Sequence, residues 1–115
     1  MELQDKKIGD ELFGFKLIEI EKLSEYEGFG LLYRHEATSM EVYHIQNYDQ
    51  ELFFSYIFET IPNDNTGVAH IIEHSVLSGS KKYPIRDPFM QLQKGSACTF
   101  MNALTYPTKT LYPAA

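Results

Sequence analysis

Two histidines and a glutamate stand within five consecutive residues, His70-Ile71-Ile72-Glu73-His74. On a helix, residues four apart lie one above the other on the same face, so both imidazoles reach toward one point. Glu73 follows His70 by three positions and flanks that face without obstructing it. Neutral imidazole nitrogens bind Zn²⁺ and leave positions open for water and a carbonyl group. A bound metal lowers the pKa of its water, and a nearby carboxylate takes the proton as that water attacks. The residue types therefore point to metal-assisted hydrolysis, with His70 and His74 as zinc ligands and Glu73 as general base. In a chain of this composition the pattern arises by chance on the order of once in a hundred, which makes coincidence a poor explanation.

A catalytic zinc site usually has three protein ligands and a water. Beyond His74 the candidates are Asp87 and Cys98. Asp87 precedes Pro88 and reads as a helix cap. Cys98, the single cysteine, reads as a small packed residue, and it excludes an internal disulfide or a thiolate-rich zinc site. The third ligand is either an upstream acid or absent from this sequence, and absence fits better. His35 and His44 each stand singly in strand-like segments and read as structural.

The elements that must position these residues change character along the chain. Segments from about 15 to 59 read as strands: Phe15–Glu21, Leu31–His35, Glu41–Ile45 and the nearly all-apolar Leu52–Phe58, which is expected to be covered on both faces. Gly28 and Gly30, with Glu25 and Glu27, are expected to mark a turn. The connections are too short for crossover helices, so pairing should be antiparallel. Pro62–Gly67 is a cluster of turn and cap residues. A helix is expected over about 67–78, stopped near Ser78-Gly79, and a second over about 88–94. Strands are expected over about 97–113, as Thr99–Thr105 and Thr110–Tyr112. This order predicts an α+β fold, with the motif helix packed on a largely antiparallel sheet. Because the strand-like segment runs almost to Ala115, the chain is expected to be an N-terminal piece of something longer.

With 43% hydrophobic and 23% charged residues, the 115-residue chain has the balance of a soluble globular protein. No apolar run approaches the roughly 20 residues needed to span a bilayer, so no membrane partner is expected. The polar, acidic start MELQDKKIGDE has no apolar core of a secretory signal, and a cytoplasmic location is the default expectation. Residues 1–74 hold 15 of the 16 acids and five of the ten bases, for −10; residues 75–115 hold one acid and five bases, for +4, and the sum is the overall −6. Five scattered cations make a poor phosphate track, so nucleic acid is not an expected partner.

From about Phe15 onward the sequence resembles the pitrilysin and insulin-degrading-enzyme family of zinc metallopeptidases, closest to its presequence-protease branch. The likeness is sharpest in TGVAHIIEHSVLSGSKKYPIRDPF, from Thr66, and NALTYPTKTLYP, ending at Pro113. The resemblance implies an endopeptidase that degrades short unstructured peptides, with residues 1–115 an incomplete part of its first domain. It implies that His70 and His74 bind zinc, that Glu73 is the base, and that the third ligand is a glutamate beyond Ala115. It further implies that Asn102, Ala103, Leu104 and Thr105 form the strand edge pairing with an extended peptide substrate, in keeping with the physics of β-augmentation. The remaining domains of the full peptidase are implied partners. A competing expectation is a non-catalytic peptide-binding or self-associating fragment, since the third ligand is absent and an open edge can pair with another chain. A structural metal site is a weaker alternative, because it needs a closed fourth position.

Overall fold

A computed structural model describes residues 5–115. The chain forms two compact units, the first ending at Gln50 and the second running from Glu51 to Ala115. Among the described residues, two α-helices and seven strands in two antiparallel sheets make the fold α+β.

In the first unit, β1 (Glu11–Leu12), β2 (Phe15–Leu23), β3 (Gly28–His35) and β4 (Glu41–Gln46) lie side by side in chain order. The apolar alternation of β2 breaks at Leu17-Ile18, and there the pairing with β3 shifts register between Leu17 and Glu19. The extra residue of this bulge returns Leu17 and Ile20 to one face, opposite Tyr33 and Leu31. Leu17 and Leu31 are the unit's fully buried side chains. The expected turn lies one step earlier, at the 3-10 turn Ser24–Tyr26, with Glu27 left-handed at φ +50. Gly28 and Gly30 belong to β3 instead. At Gly30 a Cβ would collide with the Tyr43 hydroxyl, so the bare backbone admits that ring across the strands.

The second unit holds β5 (Phe54–Glu59), α1 (Val68–Val76), α2 (Pro88–Gly95), β6 (Leu104–Thr105) and β7 (Lys109–Ala114), with sheet order β5-β7-β6. The expected long strand over Thr99–Thr105 is reduced to two ladder residues and an isolated bridge from Met101 to Ala114. Proline explains the gap. Asn102 N–H donates to the Pro113 carbonyl at 3.1 Å, but Pro113 has no N–H to return. The Ala103 N–H is held by the Asn102 side chain at 2.9 Å. A second departure concerns β5, which stands at the sheet edge with Ile57 63% and Phe58 53% exposed rather than covered on both faces.

Both helices follow their local signals. Gly67 occupies the left-handed region at φ +71 immediately before α1, a conformation that favours glycine. Asp64 accepts hydrogen bonds from the Thr66 N–H and hydroxyl, which hold its carboxyl below the usual range and shape the approach to the helix. At the far end Ser75 and Ser78 hydroxyls donate to the Ile71 and His74 carbonyls, and α1 stops at Val76, two residues short of the expected end. Asp87 caps α2 by accepting from the Met90 N–H at 3.4 Å, with Pro88 at the first turn.

Candidate metal centre

Nine residues of α1 carry the two histidines and the glutamate, and helical periodicity brings them together without help from any other element. The His70 and His74 rings stack with centroids 4.9 Å apart and planes 14° from parallel. Their Nε2 atoms are 3.0 Å apart. Two nitrogens bound to one tetrahedral zinc at about 2.0–2.1 Å would be about 3.3 Å apart, so the pair fits such an ion within a few tenths of an ångström. The candidate donor atoms of His70, Glu73 and His74 all lie within 4.8 Å of one another. Among the described residues this is the single group of histidines, cysteines and carboxylates so gathered.

Burial separates the three. His70 and His74 are exposed, whereas Glu73 is only 6% exposed. A buried carboxylate needs hydrogen-bond donors. The Thr105 hydroxyl supplies one, donating to Glu73 Oε2 at 2.7 Å. Tyr112 on β7 feels the same charge: partial burial pushes its phenol up, and the negative Glu73 adds to the effect.

The histidines and Glu73 line a cleft of about 750 Å³ together with Asn102, Ala103, Leu104 and Thr105. All four residues assigned to the strand edge on the basis of resemblance thus line the same cleft as the helix motif. β6 is the outer strand of its sheet, so the backbone groups of Ala103 and Thr105 that do not pair with β7 face away from the ladder. Asn102 has its side chain turned back onto the Ala103 N–H.

Other features of the cleft escaped the sequence reading. Leu77, Phe89 and Met90 give its lining apolar character, and Arg86 lines it too. The signal lay in the Arg-Asp-Pro run that starts α2, read there only as a cap. Asp87 both caps α2 and lines the cleft. Cys98 is half-buried, with its thiol donating to the Phe100 carbonyl. In the first unit, His35 Nδ1 is 2.8 Å from the Thr38 hydroxyl and its ring lies 4.8 Å from that of Phe15; His44 is exposed on β4.

No family model matches the chain. It is 47% identical over 105 residues to presequence protease 1, chloroplastic/mitochondrial, of Arabidopsis thaliana, covering 91% of this chain and 10% of that protein. It is 45% identical over 105 residues to the mitochondrial presequence protease of Drosophila melanogaster, again covering 91% and 10%. Against the mitochondrial presequence protease of Mus musculus the identity is 39% over 107 residues, covering 93% and 10%. The chain thus spans about a tenth of the length of the curated relatives it matches. Identity at this level over nearly the whole of these 115 residues, spread across plant, insect and mammal, shows that the chain belongs to the presequence-protease family of pitrilysin-type peptidases.

Proposed function

We propose that this chain carries the helix-borne part of a zinc metalloendopeptidase centre that cleaves extended, unstructured peptides. The observation behind the reading is the pair of Nε2 atoms 3.0 Å apart on α1, beside a buried carboxylate. His70 and His74 would hold the ion. When bound, zinc supplies Lewis acidity to water and to the scissile carbonyl. Glu73 is the general base: Thr105 occupies Oε2, and Oε1 is left to receive the proton of the attacking water and pass it to the leaving amine. The β6 edge, through the Ala103 carbonyl and the Thr105 backbone, holds the substrate backbone by strand addition, which demands an extended peptide and little particular sequence. A third ligand is needed to complete a catalytic site, and the proposal assigns it to the remainder of the full peptidase.

Glu73→Gln in the complete peptidase tests the role of the base. Peptide hydrolysis should fall by about three orders of magnitude or more while zinc stays bound, because the amide keeps the shape and loses the basicity. Turnover at the parent rate would remove Glu73 from the mechanism. A second reading, a peptide-binding or self-associating segment without catalysis, is favoured by the exposed β5 and the open β6 edge.

A further inference from the structure

We propose that the Thr105 side chain is the positioning group for Glu73, distinct from any role of the Thr105 backbone in binding peptide. The proposal rests on the reading of Glu73 as general base. Glu73 projects from a single-turn-spaced motif that orients the histidines but provides no hydrogen-bond donor for its own buried carboxylate. The donor comes from β6, 32 residues later, as the Thr105 hydroxyl at 2.7 Å. One oxygen is therefore anchored, on a residue that lines the cleft.

The anchor is itself held firmly. Thr105 pairs with Thr110 on β7, and the next residue closes the turn through the Tyr106 N–H to the Lys109 carbonyl at 2.8 Å. Thr110 is 2% exposed, with its hydroxyl 2.8 Å from that of Thr60. A β-branched side chain on such a backbone has few rotamers, which limits the directions its hydroxyl can take. Strand propensity and packing are satisfied equally by valine. The strand does not need the hydroxyl; the buried Glu73 carboxylate does.

This difference makes the test. Thr105→Val keeps the β-branched shape and deletes the donor, while Thr105→Ser keeps the donor and loses a methyl group. In the peptidase containing this segment, Thr105→Val should lower kcat by about ten- to a hundredfold with KM within about twofold and zinc content unchanged. Thr105→Ser should restore most of that loss. In the metal-free 115-residue chain, the Glu73 carboxyl ¹³C resonance, identified by its disappearance in Glu73→Gln, should move in the valine variant and stay in the serine variant. A valine variant as fast as the parent, or one outperforming serine, would overturn the positioning role and leave Thr105 as packing. If Glu73→Gln itself retained turnover, the base assignment would fall first, whatever Thr105 does.

Discussion

At the residue scale, the site divides into groups fixed by neighbours on one helix and a group fixed from afar. His70 and His74 need only helical spacing to bring Nε2 atoms to 3.0 Å. A two-histidine site with no third protein ligand binds zinc weakly compared with a complete one, and each imidazole then matters fully. His70→Ala should therefore abolish zinc binding by the 115-residue chain in an equilibrium dialysis with metal analysis, whereas Glu73→Gln should leave the stoichiometry as in the parent. Zinc bound equally by the parent and His70→Ala would place the ion elsewhere. The buried Glu73 carboxylate gives this site its asymmetry: the two histidines are exposed along the cleft, and the carboxylate is sheltered and anchored.

At the element scale, short-range signals account for helix starts and for where strands exist, and cross-strand contacts account for what those signals misplace. Gly67 and Asp87 open α1 and α2 as capping chemistry requires. Gly30 reads locally as a turn residue, yet it serves in β3 as the seat for the Tyr43 ring. Adding a methyl group there should force the ring out, and Gly30→Ala should destabilise the first unit by about 1–3 kcal/mol, measured as a lower urea midpoint. An unchanged midpoint would mean that Tyr43 shifts at no cost. The Thr99–Thr105 segment has strand composition, but Pro113 opposite Asn102 removes the donor that a continuous ladder needs. Composition alone is blind to which residue a strand will face.

At the scale of the whole molecule, the exposed apolar strand β5 bears on association. Tyr56, Ile57 and Phe58 of β5 are each more than half exposed, and β5 is an outer strand with unpaired backbone groups along one side. Among the described residues no helix is long and apolar enough to cross a membrane, so this surface is not that of a spanning helix. Such an edge recruits other chains. The 115-residue chain should exceed the monomer mass in light scattering at high concentration, and Ile57→Lys, which puts a charge at the middle of the edge, should bring it back toward monomer. A strict monomer in the parent would count against the self-association reading.

The sequence by itself determined the α+β class, the antiparallel pairing, the two helices and the gathering of His70, Glu73 and His74 on one of them. All of these depend on interactions within a few residues or on a repeating apolar pattern, which are legible without a fold. The resemblance added the family and the expectation of a substrate edge from Asn102 to Thr105. Only the tertiary structure decided that Glu73 is buried, that Thr105 holds one of its oxygens, and that Arg86, Phe89 and Met90 share its cleft. The physical reason is distance along the chain. A hydrogen bond between residues 32 apart depends on how β6 and α1 are brought together, and no local spacing encodes that approach.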